Sequence, residues 1–339
     1  MELNYKIRRL PLSYQFAVAN SKKLYAENVF VELRYESDIG YGESAPSYFY
    51  HESPATIQRF FDQIKPVLNS DPNLIMGQLE KEFNGNYAAK AAINMALFDL
   101  VGKKASLPLY KFLEIKHEKP LRTSFTIGID SLEVIEQKVT AAQNYPILKI
   151  KLGNEHDYQV LEIIRKITNC PLRIDANEGW TKEEAVEKIN WLATQNVEFV
   201  EQPLPANDIE DMKWVRERVN LPVFADESLT TGKDMDRLIG AFDGINIKLM
   251  KCGGITEALN MVKKARDLNL KTMIGCFIES SLAITAAAHI APLFDYIDLD
   301  GALLLKTDPF QGVKINNGQF TLPELPGLGV QPIGIQGVG

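Results

Sequence analysis

From residue 121 onward the chain repeats one hydropathy motif: a short apolar run, then a longer stretch with apolar positions three and four apart. The runs predict strands at 121–129, 147–152, 172–176, 197–201, 222–226, 244–249, 271–276 and 296–300, with helices between them such as 181–194, 207–219 and 255–269. Strands alternating with helices imply a parallel sheet, and eight is the number that closes into a barrel. The expected class is α/β, a modified (β/α)7β TIM-type barrel. At about 180 residues it is shorter than the usual ~200–250, which calls for tight loops. A doubly wound open sheet is the competing architecture, but no GxGxxG or GxxxxGK[ST] links a strand to a helix.

The first third has a different texture. Residues 2–10, 28–35 and 39–43 read as strands of an antiparallel meander, with Ser37-Asp38 as a turn. Gly40 and Gly42 predict that the third strand is short or bends. Ser53-Pro54 starts a helix carrying Ile57, Phe60, Phe61, Ile64 and Val67 on one side. A second helix, 88–103, is rich in Ala and Leu, with Ala91, Ala92, Met95, Ala96, Phe98 and Leu100 as its buried set. The domains expected are an α+β capping domain at 1–118, the catalytic barrel at 119–308, and a segment at 309–339 that packs back on the capping domain with frayed Gly-rich last residues.

Composition narrows the classes. The formal charge is −7 with no basic block, which argues against a dedicated nucleic-acid or anionic-membrane surface. No run of about 18 apolar residues predicts a membrane span, and the N-terminus lacks a signal-peptide pattern. Cys170, Cys252 and Cys276 form no CxxC, and four histidines are scattered, so neither a disulfide frame nor a thiolate or imidazole metal site is expected. The simplest account is a reduced, cytoplasmic protein.

In such barrels chemistry sits at the carboxyl ends of the strands. Here those ends carry Lys149 and Lys151, then Asp175, Glu201, Asp226 and Lys248, at intervals of about 22–26 residues from Lys151 on. Glu279 and Asp298-Leu299-Asp300 follow on the last two strands. Lys149 and Lys151 alternate onto one strand face, where two ammonium groups ease each other's deprotonation and make one a candidate general base; a solvated basic face is the alternative. Three converging carboxylates repel unless a cation sits among them, and all-oxygen donors suit one Mg²⁺ per subunit; helix caps are the alternative. Lys151 and Lys248 stand four strands apart, on opposite walls, which suits taking a proton from one face of a carbon acid and returning it to the other. For Lys248 the alternative is a lysine snorkelling to the rim, and Lys251 competes for the same role. Asp298 and Asp300 form a candidate clamp for a substrate ammonium; a cap and a turn residue are the alternative.

The same residues resemble the enolase superfamily, its muconate-lactonizing subgroup and, within that, the dipeptide epimerases. The likeness extends over Ile39-Gly40-Tyr41-Gly42-Glu43-Ser44-Ala45-Pro46, Ala91 to Leu100, Lys149-x-Lys151, Asp175-Ala176-Asn177, Glu201-Gln202-Pro203, Ala225-Asp226-Glu227-Ser228, Lys248 and Asp298-x-Asp300. The resemblance implies Lys151 and Lys248 as acid/base catalysts, Lys149 as enolate support, Asp175, Glu201 and Asp226 as Mg²⁺ ligands, and Asp298 and Asp300 as ammonium binders. It implies a specificity loop at 16–25 folded over the mouth, where Ser21 replaces an arginine of some members and Lys22 or Lys23 could meet a glutamate side chain. Glu279 joins the substrate-facing candidates. The implied reaction is epimerisation of a dipeptide at its C-terminal residue, L-Ala-D/L-Glu first, within cell-wall peptide metabolism. The expected partners are that small substrate and further copies of the chain. Other reactions of the subgroup (o-succinylbenzoate synthesis, N-acylamino acid racemisation, cycloisomerisation) need no ammonium clamp, and a non-catalytic metal-binding barrel needs no lysines.

Overall fold

A computed structural model describes residues 1–19, 21–65, 68, 72–116 and 120–334. Val67, the 118/119 boundary and the last five residues therefore lie outside the described residues. The chain opens on an antiparallel meander, β1 (Glu2–Val18), β2 (Ser21–Tyr35) and β3 (Asp38–Ser44). Its first hairpin is longer than the pattern predicts: pairing runs to Pro11↔Tyr25, shifts register, and resumes at Phe16↔Lys23, Ala17↔Lys22 and Val18↔Ser21. The 16–25 segment is thus mostly a strand pair rather than a loop. The register break and the exposed side chains of Tyr14, Leu24 and Tyr25 hide its alternation from a hydropathy reading.

Helix α1 (Pro54–Ile64) starts in a capping box between Ser53 and Thr56, followed by α2 (Pro72–Glu82), α3 (Tyr87–Lys104) and α4 (Leu109–Phe112). The glycines of β3 neither bend nor shorten it. They let it lie against α3: a Cβ on Gly40 would stand 2.1 Å from the Ala96 carbonyl oxygen, and one on Gly42 1.9 Å from that of Ala92. α3 is buried on nearly every side, though Phe98, expected inside, is only half-buried.

Strands β4 (Phe125–Ile127), β5 (Leu148–Lys151), β6 (Leu172–Asp175), β7 (Val197–Glu201), β8 (Val223–Ala225), β9 (Gly244–Lys248), β10 (Lys271–Gly275) and β11 (Tyr296–Asp298) pair in chain order as one sheet. All eight predicted strands are present; the first shrinks most, from nine residues to three. Helices α5 (Leu132–Ala141), α6 (Asp157–Ile167), α7 (Lys182–Leu192), α8 (Ile209–Arg216), the short α9 (Leu249–Cys252) with α10 (Ile255–Asp267), and α11 (Ser281–Ile290) connect them. A 3-10 turn, Met235–Leu238, replaces the helix between β8 and β9. The seam between β4 and β11 closes largely through side chains: Ser124 Oγ donates to Asp298 at 2.6 Å, the Thr126 amide donates to Asp300 at 2.6 Å, and the Leu299 amide donates to Thr123 at 2.7 Å. Stacked Phe199 and Phe224, with Tyr296 edge-on, fill the barrel interior.

After β11 come β12 (Phe310–Gln311), β13 (Lys314–Asn316), β14 (Gln319–Thr321) and β15 (Gln331–Pro332). Phe310 stacks on Phe30 of β2, and the Leu328 amide donates to buried Asp99 of α3 at 2.8 Å. Glu43 of β3, fully buried, accepts from the Ser280 amide (2.9 Å), Ser280 Oγ (2.5 Å) and the Ala283 amide (3.2 Å), so a carboxylate of the meander caps α11 of the barrel.

Candidate active site

Side chains alternate across each strand, so every second residue of a barrel strand points inward. On β5 those are Lys149 and Lys151, both buried rather than on a solvated face. β6 and β7 end in Asp175 and Glu201, and Asp226 follows β8 directly; oxygens of the three lie within 4.8 Å of one another. β9 brings Asn246 and Lys248 inward on its own alternation, and the Asn246 carboxamide donates to Glu201 at 2.7 Å. In sheet order β5 and β9 are four strands apart, so Lys151 and Lys248 rise from opposite walls and both line a cavity of about 430 Å³ at the mouth.

The carboxylates are met by ammonium groups. Lys151 Nζ is 2.6 Å from Asp175, and Lys248 Nζ is 2.7 Å from Asp226. Lys149 Nζ touches three carboxylates: Asp298 and Glu201 at 2.7 Å and Asp175 at 3.0 Å. Burial pushes the carboxyls up, and the lysines decide which of them yield. Lys151 and Lys149 hold Asp175 below its ordinary value despite burial, and Lys248 and Lys251 do the same for Asp226. Glu201, buried and beside Asp175, is pushed up to about 7. Burial works to lower Lys149 and Lys248, but Asp298 and Asp226 respectively override it and hold both above the ordinary lysine value. For Lys149 this reverses the mutual easing expected of the lysine pair, because three anions outweigh one like charge.

Three hard oxygen donors on adjacent strand ends, already compensated by cations, fit a divalent ion such as Mg²⁺. The other candidates fall unequally. Lys251 is buried on Asp226, donating to its carboxylate and its carbonyl oxygen at 2.6 Å each, and stays out of the cavity that Lys248 lines. Asp298 and Asp300 both line the cavity, but Asp298 already holds Ser124 and Lys149, whereas Asp300 is held by Thr126, through its amide and its side chain. Burial and the neighbouring Asp298 raise Asp300 to about 6. Glu279 departs from expectation: it accepts from the Phe277 amide at 2.8 Å, folded back on its own tight turn, and does not line the cavity. On β2, Ser21 and Lys23 share the face toward the mouth and Lys22 takes the other, so Lys23 replaces Lys22 as the lining cation.

Sequence reasoning passed over several lining residues. Tyr50, from the 3-10 turn Tyr48–Tyr50, roofs the cavity and carried no signal, being in a connection of the capping region. Asn177 and Glu178, both with positive φ (42° and 64°), and Glu227 complete the wall around the acidic cluster. The Asn177 carboxamide donates to Glu227 at 3.0 Å, and burial with Asp226 beside it pushes Glu227 up to about 8. Asn246 was legible from its place two residues before Lys248.

Family models match the chain over two spans. Residues 8–113 match the mandelate racemase/muconate lactonizing enzyme N-terminal domain, and residues 133–333 match the enolase C-terminal domain-like family. The chain belongs to the enolase superfamily. Within it, the chain is 40% identical to an L-Ala-D/L-Glu epimerase of Bacteroides thetaiotaomicron, over 98% of this chain and 88% of the relative. Among solved superfamily members, a dipeptide epimerase from Cytophaga hutchinsonii, complexed with Mg and D-Ala-L-Val, superposes with a TM-score of 0.93 at 32% identity, covering 98% of this chain and 96% of that one. A dipeptide epimerase from Enterococcus faecalis V583, complexed with Mg and L-Leu-L-Tyr, gives 0.92 at 34% identity, covering 97% and 98%.

Proposed function

We propose that this protein is a Mg²⁺-dependent dipeptide epimerase that inverts the α-carbon of the C-terminal residue. The observation that carries the reading is the pair Lys151 and Lys248 on opposite walls of one cavity, with Asp175, Glu201 and Asp226 between them. The Bacteroides relative is named an L-Ala-D/L-Glu epimerase, and the Cytophaga and Enterococcus dipeptide epimerases are solved with Mg and a dipeptide, which supports the reading.

In this reading one lysine takes the α-proton from its side and the other returns a proton from the opposite side, which inverts the centre. The electron pair left behind spreads into the adjacent carboxylate of the substrate. Mg²⁺ held by Asp175, Glu201 and Asp226 supplies, when bound, positive charge at that carboxylate. Lys149 adds a second, fixed ammonium beside the trio. Asp300, across the cavity, receives the N-terminal ammonium of the dipeptide. That contact favours a free dipeptide over the N-acylated and succinylated acids of sister reactions, which lack a free α-amine. Tyr50 and the hairpin end roof the site and limit water.

For the side chain being inverted, Lys23 is the cation available on the hairpin, which supports an acidic residue and makes L-Ala-L-Glu the first substrate to try. Phe16, Val18, Phe277, Ile278 and Leu304 also line the cavity and favour a second reading, an apolar side chain. No helix among the described residues is long and apolar enough to cross a membrane, which accords with a cytoplasmic place of action on cell-wall peptides. Proton NMR in D₂O with Mg²⁺ tests the reaction: the α-proton signal of the C-terminal residue should vanish while that of the N-terminal residue persists. Retention of both signals across L,L-dipeptides with acidic and apolar ends would refute it.

A further inference from the structure

We infer that Asn246 is a positioning residue that acts through Glu201, and that residue 275 is a glycine because the Asn246 carboxamide occupies the space a side chain there would need. The inference rests on the reading of Asp175, Glu201 and Asp226 as Mg²⁺ ligands. The three acids are anchored unequally. Asp175 takes Lys151 at 2.6 Å and the Asn177 amide at 3.0 Å, and Asp226 takes Lys248 at 2.7 Å and Lys251 at 2.6 Å. Glu201 has one more rotatable bond to fix than either aspartate. Among the described residues its carboxylate meets Lys149 at 2.7 Å and the Asn246 carboxamide, also at 2.7 Å. Lys149 is shared with Asp175 and Asp298, so Asn246 is the partner that serves Glu201 alone.

The carboxamide is itself held in place. Asn246 is fully buried on the inward face of β9, and beside a carboxylate it must present its NH₂ rather than its oxygen. Its Oδ1 accepts no hydrogen bond from the described residues and lies against Gly275 of β10. A Cβ on Gly275 would stand 2.3 Å from Oδ1, 2.8 Å from Nδ2 and 2.9 Å from Cγ of Asn246. The φ of Gly275 lies outside the left-handed region, so the backbone does not call for glycine there. What the glycine supplies is room, and the group that donates to Glu201 fills it. An apolar side chain at 246 would pack in the barrel interior without burying an unpaired acceptor, so the bond to Glu201, not packing, accounts for an amide in this place. Holding Glu201 in one rotamer spares a bound cation the cost of ordering it.

Titration calorimetry with Mg²⁺ and no substrate, on the wild type, Asn246→Ala, Gly275→Ala and the double variant, tests this. Asn246→Ala should weaken Mg²⁺ by about tenfold, the lower end of the effect of removing a group that orients a metal ligand. Gly275→Ala keeps every polar group, and its methyl should displace the carboxamide and weaken Mg²⁺ by about fivefold or more. Beside Asn246→Ala the same methyl meets open space and should change the affinity by less than about twofold, a coupling that independent sites do not show. Excess Mg²⁺ should restore most of the epimerisation that Asn246→Ala loses at limiting Mg²⁺, which a disordered barrel would not allow. Unchanged Mg²⁺ affinity in Asn246→Ala, with only the melting temperature of the metal-free protein lowered, would make the amide a packing residue and overturn the proposal. Equal losses from Gly275→Ala in both backgrounds would overturn it too. If Asn246→Ala does not fold, Gly275→Ala decides alone, and unchanged affinity there overturns the proposal. A wild type that binds no Mg²⁺ removes the metal reading and this proposal with it, whereas a wild type that binds Mg²⁺ but exchanges no dipeptide α-proton refutes the proposed reaction and leaves the Mg²⁺ titrations to decide the role of Asn246.

Discussion

Lys23 reaches the mouth because β2 alternates: Ser21 and Lys23 face the cavity while Lys22 points away. Partial burial at the rim lowers its pKa from the ordinary lysine value. In the proposed function a cation there would discriminate by pairing with a side-chain carboxylate, and discrimination of this kind is a difference between two affinities. Lys23→Met should lower kcat/KM for L-Ala-L-Glu by about tenfold, the scale of one ion pair taken out of bulk water, and leave L-Ala-L-Leu unchanged. Steady-state kinetics on the two dipeptides checks it. Most of the charged residues that converge at the mouth were legible at this scale, because a lysine or carboxylate at a strand end is visible from alternation alone. Glu279 was not, since its direction is set by a turn that folds its carboxylate onto the Phe277 amide. Nor was the choice between Lys248 and Lys251, which depends on α9 turning Lys251 under Asp226.

At the scale of elements, the packing of β3 on α3 shows how small residues act in pairs. Gly40 and Gly42 face Ala96 and Ala92, and the strand lies so close to the helix backbone that it has no room for a side chain at either glycine. Gly42→Ala would place a methyl group 1.9 Å from the Ala92 carbonyl oxygen, a contact that only backbone movement relieves. It should destabilise the protein by about 3 kcal/mol or more, at the upper end of overpacking effects, and a thermal melt reads this as a drop in Tm. The glycines were visible in the sequence, but their meaning was misread as a bend because the partner helix was not yet in place. The hairpin end was misread for a related reason: its outer residues are exposed, so pairing rather than burial holds it as strand. The barrel strands were legible because each is buried on both sides, which leaves an apolar run with few competing interpretations.

For the whole molecule, the joint between meander and barrel matters as much as either part. Glu43 and Asn28 of the meander hold the turn before α11, with Asn28 donating to the Ile278 carbonyl oxygen at 3.0 Å. That turn supplies Cys276, Phe277 and Ile278 to the cavity, so the capping region helps shape the site that its hairpin covers. Long-range contacts such as these leave no local trace in hydropathy, so the bonds of Asn28 and Glu43 across the joint were not legible, although the resemblance placed the 16–25 segment over the mouth. What the assembled molecule provides is a cavity with one ammonium on each side of an acidic cluster, and the whole account depends on the two acting from opposite faces. General acid/base removal costs about 10²–10⁴ in rate, so each single-lysine variant, Lys151→Met and Lys248→Met, should lose epimerisation. Each should still exchange the α-proton of one epimer in D₂O, and the retained epimer should differ between the two. Proton NMR of each variant with L-Ala-L-Glu and L-Ala-D-Glu is the decisive measurement. Exchange retained on the same epimer in both variants, or epimerisation surviving in either, would contradict two-sided catalysis.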